Sequence, residues 1–122
     1  MQSAVQPAAP EAHPGTWVDI CALDDLIPNW PVGALLGTRQ IALVRVGRDQ
    51  LYALSNFDPF SQAMVMARGI VGDSKGTPKL TSPIYKQGFD LRTGQCLDDP
   101  AVRIPAYATR LVEGRVQVLA PA

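Results

Sequence analysis

The 122-residue chain predicts an all-β fold, a sandwich or small barrel of short strands. Three observations carry this expectation. Apolar residues recur at alternate positions over short stretches, and turn residues interrupt them at close intervals. Before residue 55, no apolar stretch holds a 3.6-residue period long enough to make a good helix.

Taken in order, Trp17-Val-Asp-Ile-Cys21 alternates large apolar and polar side chains as a strand does. Asp24-Asp25-Leu26-Ile27-Pro28 breaks it with a turn or a single helical turn, and Gly33-Ala-Leu-Leu36 is a short apolar run. Gln40–Val46 is a strong strand, the turn residues Gly47–Gln50 follow, and Leu51–Leu54 returns as its hairpin partner. From Ser55 to Gly94 prolines and glycines punctuate short apolar pieces, and a brief helix is expected over Gln62–Ala67. A loop-rich region of that length inside a small domain is usually functional or descended from something functional. Two closing strands, Ala106–Val112 and Arg115–Leu119, flank the hairpin signal Glu113-Gly114. Val116 and Val118 share the buried face of the last strand, with Arg115 and Gln117 opposite.

Residues 1–16 lack the charged start and apolar run of a signal peptide, and their Pro, Ala, Gln and Gly content predicts a flexible leader. The ordered domain is expected over 17–120. Eleven basic and eleven acidic residues cancel, so no global field attracts nucleic acid or a membrane surface. No segment approaches the roughly 20 apolar residues of a bilayer span. Cys21 and Cys96 are only two and far apart, which fits reduced, separately packed thiols in a cytoplasmic protein.

Most catalytic constellations are absent. His13, the only histidine, lies in the leader, which excludes a His-rich metal site and leaves no base for a Ser or Cys nucleophile. There is no phosphate loop and no G-x-G-x-x-G fingerprint. The adjacent carboxylates Asp24/Asp25 and Asp98/Asp99 fit solvated turn caps.

Two stretches stand out as a pair: Tyr52-Ala-Leu-Ser-Asn-Phe-Asp-Pro-Phe60, and Ser82-Pro-Ile-Tyr-Lys-Gln-Gly-Phe-Asp-Leu-Arg-Thr-Gly94. Together they resemble the cluster-binding boxes of Rieske domains. In that family a C-x-H box follows a hairpin strand, and a later C-P-x-H box leads into F-D-x-x-T-G. The resemblance covers residues 55–94 most specifically and extends over nearly all of the expected domain. It implies a Rieske-like β-sandwich, with Asp58 and Ser82 at the two cysteine positions and Phe60 and Tyr85 at the two histidine positions. A Rieske centre needs two thiolates on one iron and two imidazoles on the other. All four ligands are replaced, so no cluster and no metal is expected here beyond a residual hard-cation site at Asp58 and Ser82. Phe60 and Tyr85 are expected to fill the vacated volume as an aromatic pair, worth about 1 kcal/mol beyond burial. Asp58 and Ser82 are expected to bond to loop amides.

Within the Rieske-like group, Asn56-Phe-Asp-Pro-Phe60 and the opening Trp17-Val-Asp-Ile-Cys21 resemble the small subunits of bacterial cytoplasmic NAD(P)H-dependent nitrite reductases. That resemblance implies a non-catalytic chain with no cofactor of its own. Its implied partner is a large subunit carrying FAD, a [4Fe-4S] cluster and sirohaem, which reduces nitrite to ammonium. The competing readings are a Rieske ferredoxin and a free-standing β-sandwich binding module. If the loops meet a partner as Rieske cluster tips do, the contact residues are Phe57, Phe60, Met64, Met66, Arg68, Tyr85 and Lys86, since aromatics, Met and Arg are enriched at interface centres.

Overall fold

The computed structural model describes residues 15–121; His13 and most of the expected leader lie outside them. Within that span, the run Ile41-Ala-Leu-Val44 is fully buried on both faces of its strand and organises the rest. The first sheet has the order β1-β12-β11, with β1 Gly15–Ala22, β12 Arg115–Pro121 and β11 Thr109–Val112. The second has the order β10-β4-β3-β2, with β10 Ala106–Tyr107, β4 Gln50–Ser55, β3 Arg39–Val46 and β2 Val32–Leu36. A small pair joins β5 (Phe57–Asp58) to β6 (Ala63–Met64), and a third sheet runs β7 (Ile70–Ser74), β8 (Thr77–Thr81) and β9 (Gly88–Asp90).

Side chains alternate across a strand, so β3 supplies two cores at once. Ile41 and Leu43 face the first sheet and pack with Leu26, Leu36, Ala53, Val116 and Val118. Ala42 and Val44 face the loop region and pack with Leu54, Met66, Leu80, Phe89 and Leu91. A strand buried on both faces reads as a continuous apolar run, which is how the sequence writes it. The expected hairpin of β3 with β4 forms, and β11 and β12 meet through Glu113 and Gly114, both in the left-handed region at φ 49° and 79°. That geometry is the one a two-residue hairpin needs. The first strand starts at Gly15, two residues earlier than expected, and pairs along β12 with a bulge between Asp19 and Cys21.

Two expected elements differ. The helix over Gln62–Ala67 is replaced by β6 and a short 3-10 turn, Met66–Arg68. The cause is local competition for backbone donors. The Gln62 amide donates to the Asp58 carbonyl (2.7 Å), Met66 to the Asn56 carbonyl (3.1 Å), and Ala67 to the Asn56 side-chain oxygen (2.7 Å). Gln62 itself is left-handed at φ 58°, which no helix interior accepts. The expected strand Ala106–Val112 divides at Ala108 because its halves serve different sheets: Tyr107 pairs with Ala53, whereas Thr109 pairs with Val118.

Candidate functional site

The two loops singled out in the sequence do meet. β5 delivers Asp58 from the first; the second spans residues 82–87 between β8 and β9 and is closed by the Ser82 amide donating to the Gln87 carbonyl (2.9 Å). Asp58 and Ser82 are both fully buried, and the Ser82 hydroxyl donates to Asp58 Oδ2 at 2.5 Å. The same carboxylate accepts from the Ser61 hydroxyl and from the Phe60 amide, each at 2.9 Å. Ser82 Oγ in turn accepts from the Ile84 amide at 3.3 Å. Both residues therefore bond to loop amides as expected, and they also bond to each other.

Burial opposes ionisation of Asp58, but the bonds from Ser82, the Phe60 amide and Ser61 outweigh it and hold its carboxyl below the ordinary value. With three donors aimed into it, this carboxylate is a poor seat for a hard cation, which would need those lone pairs free. Nor do the four positions fit a Rieske cluster. Phe60 has no donor atom, the Ser82 proton is committed to Asp58, and Tyr85 is exposed to solvent. Among the described residues, no three His, Cys, Asp or Glu side chains converge. Cys96 is buried in the core and Cys21 lies on β1, both as free thiols.

The expected aromatic pair is corrected. Phe60 is half-buried and packs on Phe89, ring centroids 6.2 Å apart and tilted by 49°, while Tyr85 is 61% exposed. Phe89 already fills the space under the first loop, so the tip needs no second ring there. Among the remaining contact candidates, Phe57 and Met64 face each other across β5–β6 and are exposed, as are Arg68 and Lys86. Lys86 is tethered by its ammonium to the Pro83 carbonyl (3.1 Å). Met66 is fully buried and belongs to the core, so it is no contact residue. Ile84, exposed beside Tyr85, was not singled out by sequence because an isolated apolar residue in a loop carries no pattern.

The segment Phe89–Gly94 is a folding device. Asp90 accepts from the Arg92 amide (2.8 Å) and from its guanidinium (3.1 and 3.0 Å), and these bonds lower its pKa. Gly94, at φ 81°, passes so close to the Ile104 carbonyl that a Cβ would overlap it. Asp25 and Asp99 cap turns as expected, accepting from the Ala22 and Ala101 amides, whereas Asp98 accepts from the Gly88 amide of β9, ten residues away, and so joins two segments instead of capping its own turn.

A family model described as a Rieske-like [2Fe-2S] domain matches residues 16–119. The nitrite reductase (NADH) small subunit of Escherichia coli K12 is 40% identical over 84% of this chain and 95% of its own length. The chain belongs to the nitrite reductase small subunits of the Rieske-like family. The crystal structure of the proposed NADH-dependent nitrite reductase small subunit of Mycobacterium tuberculosis is 49% identical and superimposes with a TM-score of 0.85, covering 88% of this chain and 97% of that one. A third family relative is larger. The Klebsiella oxytoca nitrite reductase [NAD(P)H] large subunit is 40% identical over 96% of this chain, a match that spans 12% of its own length. There, a segment like this one lies inside a chain named for the large subunit.

Proposed function

We propose that this chain is the small subunit of an NAD(P)H-dependent nitrite reductase, and that it serves the reduction of nitrite to ammonium through its surface, without a cofactor or catalytic residue of its own. The observation that carries the nitrite reductase reading is the 40% identity to a small subunit matched over 95% of its length, and the Asp58–Ser82 bond, which joins the loops through the two cysteine positions, supports the cofactor-free part of it. FAD, the [4Fe-4S] cluster and sirohaem are assigned to the large subunit. The Klebsiella relative supports the partnership, because its small-subunit-like segment is part of the large chain. The unit is the expected 17–120 extended by Gly15, Thr16 and Pro121, which pair in β1 and β12, with the loops of 55–94 as its contact region and Phe57, Phe60, Met64, Arg68, Tyr85 and Lys86 as the contact residues. Two free thiols suit the cytoplasm. No helix among the described residues is long and apolar enough to cross a membrane. The test is reconstitution: nitrite-dependent NAD(P)H oxidation by the large subunit, measured with and without this chain. Stimulation by a chain that carries no iron is expected. Bound iron with Rieske-type visible absorbance would overturn the reading in favour of an electron carrier.

A further inference from the structure

The free edges of the sheets differ in how they are guarded. An unpaired edge strand offers its outward N–H and C=O groups to any strand that meets it, and charged side chains, bulges or extreme shortness normally block such pairing. The edge strands β1, β7, β9 and β11 each carry a charged residue (Asp19, Asp73, Asp90 and Arg110), and β5, β6 and β10 are two residues long. In contrast β2, Val32-Gly-Ala-Leu-Leu36, is a free edge with no charge, no proline and no bulge. Open hollows of about 370 and 440 Å³ flank it, and Gly33, Ala34 and Leu35 line both. The hairpin with β3 fixes which of its polar groups are free. Leu36 and Arg39 close the two-residue turn Gly37-Thr38 and pair through hydrogen bonds, as the ends of such a turn do. Bonded and non-bonded pairs then alternate, so Leu35–Gln40 is non-bonded, Ala34–Ile41 bonded and Gly33–Ala42 non-bonded. Gln40 agrees, since its carbonyl turns the other way and accepts the Asn56 amide (3.0 Å). Gly33 and Leu35 therefore point their N–H and C=O groups outward, and neither backbone bonds elsewhere among the described residues.

We propose that β2 is a pairing edge for a second copy of this chain, antiparallel about a two-fold axis at Ala34. The outward groups close on themselves in that arrangement. Gly33 of each copy exchanges both N–H···O bonds with Leu35 of the other, so every outward group of the two residues finds a partner. Ala34 meets its own counterpart across the axis at the close, non-bonded position, where a small side chain fits. Leu35, 65% exposed, lies opposite Gly33, which has no side chain to displace it; a Cβ at Gly33 would meet only Ala67, at 3.7 Å. Sliding the copies to the next bonded register leaves an outward residue of each without a strand partner, so the register is set by the strand itself. Charge does not oppose the contact. Eleven basic and eleven acidic residues leave the chain neutral, and the acids bordering the edge, Asp19 and Asp25, are engaged with Arg115 and with the Ala22 amide. This contact involves the chain alone and stands apart from the small-subunit reading.

The test follows the full chain by sedimentation and by amide NMR over a dilution series. An interface of one short strand falls below the ~1,000 Å² of a stable dimer, so half-dimerisation is expected at about 0.1–1 mM and the series runs from about 20 µM to about 2 mM. Amide shifts on dilution should centre on Gly33 and Leu35, whose N–H groups lose their acceptors. Leu35→Lys puts a charged guard on an already exposed position and should weaken self-association about tenfold or more, with the melting temperature of the monomer unchanged. Leu111→Lys, the same change on the edge strand β11, should dimerise as wild type. A chain that stays monomeric at the top of the series overturns the proposal, whether or not a strand of another protein takes the edge. So does a dimer that Leu35→Lys leaves intact, or one whose dilution shifts centre on β11 or on the loop tip at Tyr85 and spare β2. The wild-type shifts decide by themselves if Leu35→Lys does not fold.

Discussion

Removing the Ser82 hydroxyl takes one of three donors from a carboxylate that has no access to water. A hydrogen bond to a charged group contributes about 1.5–3 kcal/mol net, so Ser82→Ala should lose about that much stability. Asp58→Ala removes the acceptor of all three bonds and leaves the buried Ser82 hydroxyl with nothing to donate to, itself a cost of about 1–3 kcal/mol. Its total loss should reach about 3–5 kcal/mol. In the double variant no orphan remains, because the two groups that depended on each other are both gone. The double loss should therefore fall short of the sum of the single losses by about 1–2 kcal/mol, well beyond the ~0.5 kcal/mol within which independent sites add. Urea titrations followed by the fluorescence of Trp17 and Trp30 give the four stabilities, with equal m-values as the check that all four unfold alike. Losses that add within ~0.5 kcal/mol would refute the direct bond as the link between the loops.

Acid should also weaken the fold. The native state holds the Asp58 and Asp90 carboxyls below their ordinary value of 3.8, so the unfolded chain takes up protons first as pH falls. Their contribution is complete above that value and is lost as pH drops through the native pKa values. Melting curves from pH 7 down to pH 3 should show the decline, and Asp58→Asn should flatten it. Gly94→Ala should cost at least about 2 kcal/mol, because it combines a left-handed backbone with a clash. Gly37→Ala, at φ 65° with open space around it, should cost only about 1 kcal/mol; equal losses in the two would count against the close approach to Ile104. Phe60→Ala should destabilise by about 2 kcal/mol and Tyr85→Ala by less than ~0.5 kcal/mol, the reverse order marking Tyr85 as the packed ring.

The strands were legible because alternation and turn chemistry are local, and β3 and β4 appear where the pattern puts them. The helix over 62–67 failed because Asn56 and Asp58, from outside the window, claim its backbone donors. The Asp58–Ser82 contact had a signal that went unused. In a Rieske centre both cysteines bind the same iron, so the residues replacing them must be neighbours. By the same logic Phe60 and Tyr85 take the positions of the two histidines, yet only Phe60 has core beneath it, a matter of depth that no spacing encodes.

The carboxylate–hydroxyl link also changes how the domain reaches its finished form. Loops pinned by metal are complete only after cluster delivery, and their stability depends on it. Here the junction closes as the chain folds, from atoms the chain already carries.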